Sequence, residues 1–133
     1  MPWYATAYLL LLGALAVASW QFADRLPEFV PGWLRNGDLL AAAGQIVLTC
    51  AYWNDGLREA LGIGAVPIFG AVVGWMLFAV GPAVETARAL VSASGGSEGR
   101  AVLHGYAGTL FAFVVATPAL FCGFRIARAA LGM

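Results

Sequence analysis

Four long runs of apolar residues make up most of this chain, and they restrict its fold more than any other feature. The runs cover residues 3–22, 38–54, 64–90 and 101–127. Because 62% of the 133 residues are hydrophobic and 11% are charged, a soluble domain of this size could not bury the apolar surface. About 20 helical residues cross the roughly 30 Å hydrocarbon core of a bilayer. We therefore predict an all-α polytopic membrane protein, with residues 1–133 forming a single four-transmembrane-helix bundle.

The first run also resembles the apolar region of a secretory signal peptide. Ala16, Val17 and Ala18 match a small-x-small cleavage pattern, but the residues before Tyr8 carry none of the basic side chains that such a signal requires. We therefore expect the run to be kept as a spanning helix.

The second run is short and rich in small residues. Asn36, Gly37 and Asp38 are typical of a turn, and the aspartate predicts the N-cap of a helix. The run is barely long enough to cross a bilayer, so a buried or re-entrant helix is the alternative. Before it, an apolar stretch broken by Pro27 and Pro31 predicts short interfacial turns along the lipid headgroups. The apolar residues of that stretch are Leu26, Phe29, Val30, Trp33 and Leu34.

Prolines interrupt the third and fourth runs. Pro82 should bend or end the third helix, because proline lacks an N–H and clashes one turn back. Pro118 lies within the fourth run, where the Thr117 hydroxyl is expected to bond a carbonyl that the proline frees. We predict a kinked fourth span.

Aromatic residues at the ends of the runs indicate how the spans are arranged. Four spans place both termini on one side, and there Trp3 and Tyr4 should meet Tyr52 and Trp53 at one membrane interface. Trp20 and Trp33 then mark the opposite interface. Arginine counts favour neither orientation, and the Ser- and Gly-rich segment 92–100 is typical of an extracytoplasmic loop. We expect a multi-pass protein of the bacterial inner (plasma) membrane with cytoplasmic termini.

Glycines in the third run predict a helix-packing face. Gly70 and Gly74 form a G-x-x-x-G pair, and Gly81 follows seven residues later on nearly the same face. In lipid, such faces let two helix backbones approach closely. Packing within this chain and contact with another subunit both remain open. Gly105 and Gly108 form a weaker face of the same kind.

Polar residues within the runs are few. Gln45, Thr49 and Thr109 are expected to bond adjacent helices, each contact contributing about 0.6 to 2 kcal/mol, or else to line a solute path. Glu85 and Arg88, three residues apart, predict an ion pair at the membrane interface.

His104 is the one histidine of the chain. Imidazole can ligate haem iron or chlorophyll magnesium or bond a quinone, while an ordinary interfacial hydrogen bond is the alternative. Cys50 and Cys122 are expected to be buried thiols, with a disulfide only if their side faces an oxidising compartment. Without a C-x-x-C pair, a second histidine or an acidic cluster, the sequence predicts no metal site.

The sequence contains no Ser-His-Asp arrangement, phosphate-binding loop or intramembrane carboxylate pair, so we do not expect an enzyme. Its formal net charge of zero argues against nucleic-acid binding. The leading hypothesis is a small non-catalytic subunit of a respiratory, photosynthetic or secretion-type membrane assembly. It would contact lipid and other membrane subunits or copies of itself. The alternatives are a homo-oligomeric channel or transporter lined by Gln45, Thr49, His104 and Thr109, and a holder of haem, chlorophyll or quinone through His104.

Overall fold

The structure is a computed structural model that describes residues 2–25, 32–93, 95 and 98–132. These residues are helical almost throughout and contain no strand. The helices in the described ranges are α1 (Trp3–Arg25), α2 (Gly32–Trp53), α3 (Asp55–Leu61), α4 (Ala65–Phe78), α5 (Val80–Ala93) and α6 (Glu98–Ala130). A 3-10 turn at Gly62–Gly64 joins α3 to α4.

Three helical stretches of the described chain are long and apolar enough to cross a membrane. They are Trp3–Phe22, Asp55–Ala93 and Leu103–Ala130, and they correspond to the first, third and fourth runs. Large apolar side chains such as Leu10 and Leu110 are about two-thirds exposed, at 70% and 66%, as expected of surfaces that face lipid. The fold is therefore compatible with a helical membrane bundle.

The prediction that a helix begins at Asp38 is wrong. α2 begins at Gly32 and continues through Asn36 and Gly37 without a turn. The Trp75 ring packs directly against Gly37, and its indole N–H donates to Asp38 Oδ1 at 2.7 Å. Packing on α4 therefore keeps residues with a turn preference in a helix.

The predicted interfacial turns before the second run are only partly described. Trp33 and Leu34 belong to the first turn of α2, where Trp33 is exposed and Leu34 is buried. The other residues of that prediction, at positions 26–31, lie outside the described residues.

α2 lies at the centre of the bundle and packs against α1, α4 and α6. Its Leu48 and Ala51 side chains are fully buried. Ala51 joins Ala65 of α4 and Ile126 of α6 in a core cluster. The second helix is thus surrounded by protein on several sides, whereas α1 contacts mainly α2.

Besides Gly37, three glycines, Gly44, Gly105 and Gly123, lie where a β-carbon would meet atoms of a neighbouring helix at 3.0 Å or less, and we call these three the inner glycines. A β-carbon at Gly44 would lie 2.7 Å from a Val72 methyl of α4. At Gly105 the nearest atom would be the Val84 Cα, at 3.0 Å, so α5 and α6 are almost in backbone contact. Small residues therefore set the distance between these helices.

The third run consists of two helices separated by a single residue. α4 ends at Phe78 and α5 begins at Val80, with Ala79 between them. Pro82 is the third residue of α5, a position where the missing N–H has no intrahelical partner to lose. The interruption lies about one turn before the proline, where its ring would crowd the preceding carbonyls.

Pro118 does not end α6, and a tyrosine from α1 bonds the α6 backbone on both sides of it. The Tyr8 hydroxyl donates to the Val115 carbonyl and accepts from the Ala119 amide at 3.3 Å. In a regular helix this amide and this carbonyl bond each other directly. Tyr8 therefore bridges α6 beside the proline.

The hydroxyl of Thr117 does not take the role predicted for it. It donates to the Phe113 carbonyl at 2.8 Å, whereas the carbonyl that loses its amide partner to Pro118 is that of Val114. The side chain follows the ordinary back-bonding of a helical threonine.

Candidate functional site

Aromatic side chains gather at both ends of the bundle. Tyr4 of α1 and Trp53 of α2 make ring contact with centroids 5.9 Å apart, which confirms that the two predicted pairs meet at one end. At the other end Trp33 of α2 contacts Trp75 of α4, with centroids 6.2 Å apart. Aromatic rings with a polar edge are favoured at membrane interfaces.

A cavity of about 790 Å³ lies between α1, α2, α4, α5 and α6. Its walls are mainly apolar, with alanines and leucines from α1 and α2 and aromatic or small residues from α6. Ligand sites in proteins have volumes of roughly 300 to 1,000 Å³ and this kind of lining. The polar residues among those that line it are Ser19, Arg35, Asp38, Gln45, Thr86 and Thr109.

Arg35 lies at one end of this cavity in a well-defined position. Its guanidinium carbon is 4.3 Å from the Trp20 ring centroid, a cation–π distance. Nη1 donates to Asp24 Oδ1 at 3.1 Å. Nε is buried and has no hydrogen-bond partner among the described residues. A buried donor of this kind is costly to leave unpaired.

Asp38 lines the same end of the cavity, one turn further along α2 and outside the three candidate spans. Trp75 donates to one carboxylate oxygen, so the second oxygen is a further acceptor on a residue that lines the cavity. Arg35 and Asp38 thus place opposite charges beside an apolar chamber.

The polar residues predicted to line a solute path do not converge within this chain. Gln45 and Thr109 line the large cavity. Thr49 lines a second cavity of about 300 Å³ near the aromatic cluster of Tyr4 and Trp53, and His104 is absent from the described lining of both. A channel built from these four side chains draws no support from their positions.

The expected hydrogen bonds between helices are a further correction. The Thr49 hydroxyl donates to the Gln45 carbonyl at 2.8 Å, and the Thr109 hydroxyl donates to the Gly105 carbonyl at 2.9 Å. Each therefore bonds its own helix. Only Gln45 reaches another helix, through a 3.8 Å contact from Nε2 to Met76 Sδ.

His104 is exposed on α6, where its Nε2 accepts from Arg100 Nε at 3.4 Å. No group of three or more potential metal-ligating side chains occurs in the described part of the chain. Glu85 and Arg88 form the expected ion pair, with Arg88 Nη1 at 3.1 Å from Glu85 Oε1. The ion pair belongs to α5, and the contact between Arg100 and His104 belongs to the first turns of α6.

The predicted packing glycines fall into two groups. Gly105 lies against α5, as described above, and is one of the inner glycines. Gly70, Gly74 and Gly81 are exposed, and a β-carbon at any of them would have no neighbour within 4 Å. We call these three the outer glycines. Gly108 is equally open and borders the large cavity.

Both cysteines are free thiols, with Cys122 buried and Cys50 half-buried. Cys122 borders the smaller cavity together with Tyr8 and Pro118. Cys122 is buried as expected, whereas Cys50 is only half-buried, contrary to the expectation of two buried thiols.

Sequence reasoning missed the large cavity and the residues at its charged end. Trp20 was noted only as an interfacial ring, and neither Arg35 nor Asp24 stood out from other charges. Their pairing spans eleven residues and depends on how α1 and α2 pack, so no local spacing indicates it. The one available signal was an arginine close to an apolar run.

The architecture is that of a helical membrane protein, as its three candidate spans indicate. The chain matches none of the known protein-family models, and no curated protein sequence or solved structure is significantly similar to it. Its function is therefore inferred from its own surfaces and cavities.

Proposed function

We propose that this chain is a small, non-catalytic integral membrane subunit that joins a larger assembly through the outer glycines of α4 and α5. One observation carries the proposal. Gly70 and Gly74 of α4 and Gly81 of α5 are exposed, with open space among the described residues where a side chain would be. Glycine faces of this kind in lipid are typical of contacts between helices.

The neighbouring surface favours a helix as the partner. Leu77 and Phe78 lie on the same side of α4 and are 63% and 59% exposed. The missing side chains of Gly70 and Gly74, one helical turn apart on α4, leave a shallow groove beside them. A helix of another polypeptide fits such a groove, because the close approach gains dispersion contacts that lipid tails provide less well.

The proposed subunit crosses the membrane four times, with α2 as the fourth span. α2 has 22 residues and is about 33 Å long. Its part from Asp38 to Trp53 is about 24 Å long and crosses most of a hydrocarbon core of roughly 30 Å. It is less apolar than the other spans because α1, α4 and α6 surround it. A helix shielded by protein needs less apolar surface than one that faces lipid.

We place the subunit in a bacterial inner membrane, with cytoplasmic termini, as part of a respiratory, photosynthetic or secretion-type assembly. Its partners are other membrane subunits or copies of itself. A catalytic role draws no support from the described residues, because the polar side chains in the spans mostly bond their own helices.

A matched pair of leucine substitutions tests this proposal. Gly74→Leu fills the groove of the outer glycines, whereas Gly13→Leu adds the same side chain to α1, where a β-carbon also meets nothing within 4 Å. Both variants should fold. We expect Gly74→Leu to lose most of its copurifying partners and Gly13→Leu to keep them, as measured by native mass spectrometry after gentle solubilisation.

The same spectra distinguish the two kinds of partner. Masses at multiples of one chain indicate copies, and additional masses indicate other subunits. If Gly74→Leu retains the same partners at unchanged yield, the outer glycines do not form the docking face and the proposal is wrong.

A further inference from the structure

The large cavity has the depth of one membrane leaflet. α1 lines it from Leu12 to Phe22, and α2 lines it from Leu34 to Gln45. At 1.5 Å per residue these stretches are about 15 to 17 Å long, half of a hydrocarbon core of roughly 30 Å. Since the first candidate span ends at Phe22, the charged end of the cavity lies at headgroup level and the other end near the bilayer midplane.

The charges at the headgroup end have both signs. Arg35 and Asp38 line the cavity, and Asp24 is paired with the Arg35 guanidinium at 3.1 Å. A purely anionic headgroup would face two carboxylates, and a purely cationic one would face the guanidinium. A headgroup that carries one phosphate and one ammonium is complementary to both signs.

The hydrogen-bonding groups at this end also match such a headgroup. Arg35 Nε is buried without a partner among the described residues, and a phosphate oxygen would satisfy it with a charge-assisted hydrogen bond. Asp38 has a carboxylate oxygen beyond the one that accepts from Trp75, and a primary ammonium would donate to it. A quaternary ammonium has no N–H and could not.

We propose that this cavity binds one bilayer phospholipid with an ethanolamine headgroup. Its phosphate contacts Arg35, its ammonium contacts Asp38, and an acyl chain lies in the apolar chamber that reaches Leu12 and Val115. From α4 the site uses Trp75 and Met76 rather than the outer glycines. Lipid binding therefore does not depend on the proposed subunit role, and either can fail alone.

Lipid titration of the unmodified full chain is the first test. Phospholipids with identical acyl chains and ethanolamine, choline or glycerol headgroups are added to the detergent-purified protein, and bound lipid is counted by native mass spectrometry. We expect one tight site that binds the ethanolamine lipid about tenfold more strongly than the other two, the effect of one lost charge-assisted hydrogen bond. Equal binding of all three, or retention of a quinone or no lipid, would overturn the proposal.

A pair of phenylalanine substitutions on α6 is the second test. Ala112 lines the cavity, whereas Ala107 is exposed and is not among the lining residues. We expect Ala112→Phe to lower the affinity for the ethanolamine lipid at least tenfold and Ala107→Phe to leave it unchanged. If both variants bind the lipid as the unmodified chain does, the lipid does not occupy this cavity. If Ala112→Phe does not fold, the headgroup comparison still decides.

Discussion

The inner and outer glycines show the same residue used in opposite ways. A β-carbon at Gly44 or Gly105 would lie 2.7 to 3.0 Å from atoms of a neighbouring helix, whereas one at Gly70 or Gly74 would meet nothing within 4 Å. Glycine in a helix costs up to about 1 kcal/mol relative to alanine. At the inner positions, close packing against a neighbouring helix offsets that cost. At the outer positions, no helix of the described chain packs against the glycine, so the cost is not offset.

This difference indicates which helix faces of a small membrane protein are packed within one chain and which lack a packing partner. The inner glycines fix the distances from α2 to α4 and from α5 to α6, so they belong to the fold of one chain. The outer glycines contribute nothing to that fold. Glycines on such a surface contribute stabilising packing contacts only when another helix lies against them.

The largest expected difference in the free energy of unfolding is between leucine at an inner glycine and leucine at an outer glycine. Gly105→Leu should lower the free energy of unfolding by about 3 kcal/mol, because the new side chain meets the backbone of Val84 and overpacks the contact. Gly74→Leu should not lower it and should raise it by up to about 1 kcal/mol, because leucine is a good helix former and meets open space there. Denaturant titration in mixed micelles measures both.

Ala107→Leu, on an exposed position of the same helix as Gly105, is the control for leucine itself. If Gly105→Leu is no less stable than this control, the close approach of α5 and α6 is not a stabilising contact. The distinction between inner and outer glycines would then fail.

A smaller loss of stability is expected where two helices are joined inside the bundle by a polar contact. Tyr8→Phe removes the hydroxyl that bridges the Val115 carbonyl and the Ala119 amide. We expect a loss of about 1 to 2 kcal/mol in the free energy of unfolding, because two backbone groups lose a partner in an apolar setting. Tyr106→Phe, at a side chain that is 58% exposed, should have no comparable effect. Equal stabilities of the two variants would show that packing alone holds α1 on α6.

The smallest effect should be a gain. Gly70→Ala and Gly74→Ala each add a methyl group to open space, so the isolated chain should become more stable by up to about 1 kcal/mol per site. Gly44→Ala should do the reverse, since its methyl would lie 2.7 Å from Val72. Thermal unfolding of the purified variants measures the sign. A loss of stability at the outer positions would mean that another part of the same chain covers them.

The helical class and three of the four predicted runs followed from apolar length alone, because a bilayer leaves long apolar segments little choice but helix. The position at which α2 begins could not be predicted from apolar length. Asn36, Gly37 and Asp38 have the local preferences of a turn, but Trp75 lies 37 residues away from Asp38 and holds them in a helix. Local preference is overridden by a contact that no local pattern contains.

The candidate site was less predictable than the fold. Periodicity placed Gly70 and Gly74 on one face but did not indicate whether that face pointed inward or outward. The partners of Thr49 and Thr109 were also missed, since a threonine in a helix can bond its own backbone as readily as a neighbour. The cavity depends on the separation of four helical stretches, and only the assembled bundle defines it.

The bridge from Tyr8 to α6 has a consequence for biogenesis. It joins residues that are 107 and 111 positions apart, so α1, which is synthesised before α6, completes its contacts only after α6 has entered the bilayer. Until then α6 has a weak point at Pro118, and α1 carries a hydroxyl in lipid without its final partners. Closure of the bundle around Tyr8 therefore waits for the synthesis of α6.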